Sequence, residues 1–285
     1  MIYETAQDWT AAPARKVMLF GMSGLGKTHL AQMLRSAGGW FHYSVDYRIG
    51  TRYMGEHIVD NFKRVAMRDP FLASLLKSDS IYIASNLTFE NLDPLSTYLG
   101  KPGDPAKGGV PFEDYIIRQR QHLEAERAAM ADIPYFIDRA EDIYDYPHFV
   151  VDCSGSVCEA IDPFDPKDPI MSKLAEHVLP VWLAHDDSHE EELARRFDKA
   201  PKPMYYREKF LRECWDDYLA DTGQAPDKVD PDAFIRAGYK RLLHSRTPRY
   251  RAMAENWGVT LTPDLTANIR TADDFNAAIA AVLKE

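Results

Sequence analysis

Three cysteines in 285 residues, Cys153, Cys158 and Cys214, are too few for a disulfide framework and fit free thiols in a reducing compartment. No apolar run approaches the roughly 20 residues that a membrane-spanning helix needs. The first eight residues, Met-Ile-Tyr-Glu-Thr-Ala-Gln-Asp, lack a basic segment followed by an apolar one, so no signal peptide is expected and the cytoplasm is the expected location. Positive charge is in deficit, with 34 Lys and Arg against 44 Asp and Glu and a net charge of −10. That balance argues against a nucleic-acid-coating surface and against an anionic-membrane binder, while leaving room for a local basic site. Internal repeats and low-complexity segments are also missing. Hydrophobic residues make up 45% and charged residues 27%, so core size is no constraint on a globular chain.

What is there is organised around residues 15–37. Val17 to Phe20 is a short apolar run of the kind that forms a buried strand. Gly21-Met22-Ser23-Gly24-Leu25-Gly26-Lys27-Thr28 follows, the G-x-x-x-x-G-K-T phosphate-loop (Walker A) pattern. Leu30, Met33, Leu34 and Ala37 then recur at helical spacing, and Gly38-Gly39 stops that helix. Glycines let such a loop curl its N–H groups toward phosphate oxygens, and the helix N-terminus adds its positive end. The loop residues Gly21 to Thr28, with His29, are thus the expected nucleotide contacts. Lys27 is expected to reach the β- and γ-phosphates, and Thr28 to ligate Mg²⁺. No N-K-x-D or T-K-x-D segment occurs, so guanine reading is not expected and ATP is the expected nucleotide.

Strands and helices alternate along the rest of the chain, which predicts an α/β fold with a mostly parallel sheet. A second strand is expected over Trp40–Asp46, placing Asp46 at the carboxyl end where open α/β sheets bind ligands. Arg48 and Arg52 follow and suit an anion. Helices are expected from Glu56, over Phe71–Lys77 and over Glu113–Ala131, with Ile81–Ala84 a possible strand and 93–109 a turn-rich loop. Pro147 to Asp152 reads as a buried strand ending in an acid, the pattern of a Walker B strand that holds Mg²⁺. Cys153 and Cys158 beside it are expected to be buried and inert. Val181–Ala184 is a further strand. The segment His185-Asp186-Asp187-Ser188-His189-Glu190-Glu191-Glu192 has metal-ligand composition but suits the acidic first turn of a helix better. Gly258–Thr262 is the last strand and Thr271 caps a closing helix. Residues 1–14 are a polar lead-in that either covers a sheet edge or stays disordered.

The order of parts resembles the shikimate kinase-like group of P-loop small-molecule kinases. The phosphate loop, the Asp46-Tyr47-Arg48-Ile49-Gly50-Thr51-Arg52 stretch, the lid-like Arg195-Arg196 to Lys202-Pro203, and Arg246-Thr247-Pro248-Arg249-Tyr250 with Ala254 carry the resemblance. It implies that Asp46 holds or deprotonates the accepting hydroxyl and that Lys202 is the lid cation meeting the transferred phosphoryl group. It also implies that Arg196 lies against adenine, that Arg246 binds an anionic group of the substrate, and that Gly155 lets the substrate approach the backbone. The sequence departs from the group's pattern at Ser44, where a second acid is usual, at Ser154-Gly155-Ser156 in place of a triple glycine, and at Lys202 in place of arginine. It also carries far more chain between its second and third core strands. The expectation is a single P-loop kinase-like domain of three layers over 1–285, with its core at about 15–50 and 149–285, and a mostly helical inserted subdomain at 51–147.

Two functions remain. One is transfer of the ATP γ-phosphate, with Mg²⁺, to a hydroxyl of a small anionic metabolite. The other is an ATPase or nucleotide-dependent switch that acts on a protein partner through 51–147. Neither a nucleic-acid nor a membrane partner is expected.

Overall fold

Five short strands form one parallel sheet in the computed structural model, which describes residues 2–284. They are β1 (Lys16–Phe20), β2 (Trp40–Ser44), β3 (His148–Asp152), β4 (Leu179–Leu183) and β5 (Val259–Leu261), arranged β2-β3-β1-β4-β5. Val17–Phe20 and the whole of β4 are buried, so both faces of the central strands are covered. That is why these strands read as unbroken apolar runs and not as alternating ones.

The helices before β3 are α1 (Ala6–Ala11), α2 (Lys27–Ala37), α3 (Val45–Arg48), α4 (Gly55–Ala66), α5 (Pro70–Lys77), α6 (Asp93–Leu99), α7 (Phe112–Ala131) and α8 (Ile133–Tyr144). After β3 come α9 (Val157–Ala160), α10 (Pro169–Leu174), α11 (Asp187–Lys199), α12 (Glu208–Thr222), α13 (Pro231–Trp257), α14 (Pro263–Ala267) and α15 (Ala272–Val282). The chain divides into two compact units. The first is Met1–Val45, Arg127–Ala200 and Gly238–Glu285; the second is Asp46–Glu126 and Pro201–Ala237.

The first unit holds the sheet. On one face Val17, Leu19, Val150, Val181 and Leu183 pack with Leu30 and Leu34 of α2 and with Phe275 and Ile279 of α15. Alternate residues of the same strands point to the other face. There Tyr43 meets Phe136 of α8 at 5.1 Å, and Phe20 and Trp182 meet Tyr250 of α13 at 6.2 and 6.5 Å between ring centres. The lead-in settles as α1, started by a capping box between Thr5 and Asp8. Its Trp9 is buried and donates its indole N–H to the carbonyl of Asn276 in α15.

The second unit is helical. Phe112 stacks on Trp215 at 4.4 Å, and Trp215 meets Phe234 edge-on at 4.9 Å. Arg120 pairs with Glu208 at 2.7 Å and Arg212 with Glu113 at 2.9 Å. Those ion pairs are largely exposed and screened by solvent, so the aromatic packing contributes more.

Three expectations change. β2 stops at Ser44, because the chain turns helical at Val45, and Ile49–Tyr53 continues as a π-helical turn closed by Met54 N–H on the Ile49 carbonyl. Residues 81–84 form no strand, since no neighbouring backbone pairs with them. The helical unit ends at Glu126, well before 147, and recruits 201–237. The cause of the shorter insertion is α8, whose Ile133, Ile137 and Ala140 are buried and whose Phe136 and Tyr144 cover Tyr43 and Phe41 of β2.

Candidate functional site

The glycine loop, residues 21–26, joins β1 to α2, as strand–loop–helix spacing requires. Gly24 and Gly26 have φ of +91° and +90°, a left-handed backbone that glycine adopts without strain. Gly26 is the N-cap of α2 and offers no side chain to the helix end; no acid occupies the first turn. The first N–H groups of α2 and its positive end are therefore available to an external anion. Lys27 folds back over the loop, donating from Nζ to the carbonyls of Gly21 at 3.0 Å and Met22 at 3.1 Å. Ser23, Gly24, Gly26, Thr28 and His29 are exposed, Leu25 is half-buried, and Gly21 and Met22 are buried.

β3 lies directly beside β1, in register Leu19 with Asp152, and Ser44 of β2 flanks Asp152 on the other side. Asp152 thus ends the strand adjoining the glycine loop. It is 5% exposed, its Oδ2 lies 3.8 Å from His42 Nε2, and its buried Oδ1 has no hydrogen-bond partner among the described residues. A buried carboxylate oxygen left without a donor is costly, and a cation is the natural way to satisfy it. With the Thr28 hydroxyl on α2, the oxygen donors fit Mg²⁺.

The turn after β3 is packed onto the loop. A Cβ on Gly155 would sit 2.2 Å from Ser23 Oγ and 3.0 Å from Ser23 N, so only glycine fits there. Gly155 was expected to let a substrate approach the backbone; in the structure its missing side chain leaves room for Ser23 of the glycine loop. Tyr250 of α13 donates its hydroxyl to the Gly155 carbonyl and lies 3.8 Å from the Met22 sulfur, tying loop and turn together.

Arg246 also differs from expectation. It is 1% exposed, and its Nε donates to Glu159 Oε1 of α9 at 3.1 Å. Its guanidinium is engaged inside the protein and is not presented to solvent as an anion site would be. Burial also pushes the thiol of Cys158 up to about 12. All three cysteines are buried, so thiol reagents at pH 8 should modify none of them rapidly in the native protein and all three after denaturation. A native thiol reacting at the unfolded rate would overturn that packing.

A hollow of about 320 Å³ borders the glycine loop, lined by Gly24 and Gly26, by Leu183 and Ala184 at the end of β4, by His189 of α11, and by Pro263, Thr266 and Ala267 of α14. Its position beside the loop suits the base of a nucleotide. Arg196, expected against adenine, is exposed on α11 and pairs with Glu192 at 2.7 Å, and the residue α11 lends to the hollow is His189. Nothing in the α14 sequence signalled this role; only its packing beside the loop does. A larger hollow of about 890 Å³ lies between α11 and α13. Its three acids, Glu190, Glu191 and Asp198, balance its three bases, Arg195, Lys199 and Lys240, and it includes no loop residue, so the smaller hollow is the better candidate.

His185, read in the sequence only as part of an acidic helix start, lies two residues beyond β4. Its Nε2 lies 3.0 Å from Glu190 Oε1 and 3.1 Å from Thr247 Oγ1, so it joins α11 to α13. Asp186 is the N-cap of α11 and accepts from the His189 N–H at 3.0 Å.

Asp46 sits in the first turn of α3, two residues past β2, and is half-buried. Within the second unit, Arg52 is exposed on a polar hollow of about 740 Å³ with Thr51, Glu56, His57 and Lys63. Lys202 is exposed in the irregular segment before α12. Just past the lid-like stretch the segment is pinned: Tyr115 of α7 donates to the Met204 carbonyl at 2.8 Å, and Tyr206 N–H donates to Gln119 at 2.8 Å. Lid motion would have to occur before Met204.

Comparison with protein-family models, with curated proteins and with solved structures found no match. No helix of the described residues is long and apolar enough to cross a membrane.

Proposed function

We propose that this chain is a P-loop protein of three-layer architecture that binds Mg·ATP and transfers the γ-phosphate to a hydroxyl of a small anionic metabolite. One observation carries the reading: an uncapped helix start preceded by a left-handed glycine loop, with the buried, donor-less carboxylate oxygen of Asp152 ending the adjoining strand. In this reading the loop N–H groups bind the phosphates. Lys27 exchanges the carbonyls of Gly21 and Met22 for the β- and γ-phosphates. Thr28 and Asp152 would hold Mg²⁺, which supplies charge neutralisation when bound. Asp46 orients the accepting hydroxyl and takes its proton. Lys202 is the mobile cation. The hollow of Leu183, His189 and Pro263 takes the base by stacking and apolar contact. Arg52, which suits an anion, is assigned the acceptor's negative charge.

Lys27→Ala should lower Mg·ATP affinity by roughly 10- to 100-fold, the worth of a charged hydrogen-bonding partner, and should abolish turnover. Titration calorimetry measures the first, and wild-type affinity in the variant would defeat the phosphate-loop reading. The function itself is tested by ATP consumption against a panel of small hydroxyl-bearing anions. Acceleration by one of them, with a phosphorylated product, is expected. Steady phosphate release that no metabolite changes, but that a purified protein partner accelerates, would replace the kinase with the ATPase or switch.

A further inference from the structure

Helix α5 has no buried residue, although its sequence, Pro-Phe-Leu-Ala-Ser-Leu-Leu-Lys, is mostly apolar. Phe71, Leu72, Leu75 and Leu76 fall at i, i+1, i+4 and i+5 and share one side of the helix. Phe71 and Leu72 are 69% and 37% exposed, Leu75 and Leu76 are half-buried, and Val65 and Met67, at and just past the end of α4, are exposed beside them in sequence. A helix with this pattern ordinarily covers its apolar side against its own protein, and a contiguous exposed apolar patch marks a surface that binds something.

The charges around it indicate what. Residues 63–77 carry four basic side chains, Lys63, Arg64, Arg68 and Lys77, and one acid, in a chain whose net charge is −10. The acid, Asp69, is the N-cap of α5 and accepts from the Leu72 N–H at 3.0 Å. Lys63 pairs with Asp60 at 3.3 Å, and Arg64, Arg68 and Lys77 form no salt bridge among the described residues. A second copy docking the same face across a two-fold axis would bring these like charges together, so self-association is disfavoured. An anionic, apolar-backed surface suits both features at once.

We propose that α5 and the end of α4 dock on an anionic lipid bilayer, with Phe71, Leu72, Leu75 and Leu76 at headgroup depth and the basic side chains among the phosphates. The two-turn helix is far too short to span the bilayer, so the contact is interfacial. Net charge was the ground for expecting no membrane partner, and it is a global quantity. At physiological salt the screening length is about 8 Å, so acids elsewhere on the chain contribute little at the patch. This proposal stands apart from the phosphoryl-transfer reading and shares none of its residues.

The test is co-sedimentation of the full chain with vesicles of phosphatidylcholine alone and of equal parts phosphatidylserine and phosphatidylcholine. Each basic residue near an anionic surface is worth roughly fivefold in binding, so the three unpaired cations predict about a hundredfold preference for the mixed vesicles. Phe71→Asp with Leu75→Asp should remove binding to both vesicle types. Arg64→Glu with Arg68→Glu should remove the preference. All four positions lie on α4, α5 or their connection, none is buried, and an unchanged circular dichroism spectrum checks folding. Equal or absent sedimentation with the two vesicle types overturns the proposal. So does wild-type binding by the Phe71→Asp, Leu75→Asp protein, or a wild-type dimer that this variant converts to monomer without any vesicle binding.

Discussion

Asp46→Asn is expected to lower acceptor phosphorylation by roughly 10²–10⁴-fold, the usual worth of a positioned general base, and to leave Mg·ATP affinity near wild type. The substitution keeps the shape of the side chain and removes only charge and basicity. It leaves Lys27, Thr28 and Asp152 in place, and these are the residues assigned to the nucleotide and the metal. Asp46 lies two residues past the carboxyl end of β2, and parallel α/β sheets bind their ligands beyond those ends. Its place in the first turn of α3 is also compatible with a helix-capping role, and stability separates the two. A base should change kcat and leave the unfolding midpoint alone; a cap should lower the midpoint and leave kcat alone. An Asp46→Asn protein with wild-type kcat would remove Asp46 from the chemistry.

Arg246→Ala is expected to destabilise the fold by about 3–5 kcal/mol, the range found when one partner of a buried ion pair is deleted. Both side chains are almost wholly inaccessible, at 1% and 3%, and the substitution would strand the Glu159 carboxylate inside the protein. Burial by itself would lower the Arg246 pKa; the Glu159 carboxylate paired with it holds the group above its ordinary value. The sign follows: a cation whose folded pKa is raised contributes stability at every pH below that of free arginine, so the loss should be undiminished across the working range. Arg246→Met with Glu159→Leu should recover much of it, because well-packed apolar replacements of a buried pair are often neutral. Urea unfolding measures all three proteins. If Arg246→Ala unfolds at the wild-type midpoint and instead raises the acceptor KM, Arg246 is a substrate ligand and the ion pair is incidental.

Much of the sheet-bearing unit is legible in the amino-acid order. Gly21 to Thr28 between an apolar run and a helical repeat determined the loop. Pro147 to Asp152 announced a strand ending in an acid, and Thr271 announced the closing helix. These signals are short-range: a strand buried on both faces, a glycine at positive φ and a capped helix start each depend on fewer than about ten consecutive residues. Trp40 to Asp46 shows the limit even there. The strand was correctly placed, and its end was set by Val45 entering a helix, which no local pattern marks.

What the tertiary structure alone decided lies in pairings distant along the chain. Gly155 looked like a substrate turn, and its missing side chain serves Ser23 of the loop. Arg246 looked like an anion ligand, and Glu159, 87 residues away, holds it. Residues 201–237 looked continuous with the core, and they belong with 46–126. α14 carries no nucleotide signature, yet Pro263 and Thr266 border the loop. The physical reason is common to all four. The sequence determined which faces of each helix and strand must leave water, since that depends on periodicity within one element. Which buried faces meet depends on shape, volume and charge summed over elements far apart in the chain, and that is settled only when the chain closes on itself.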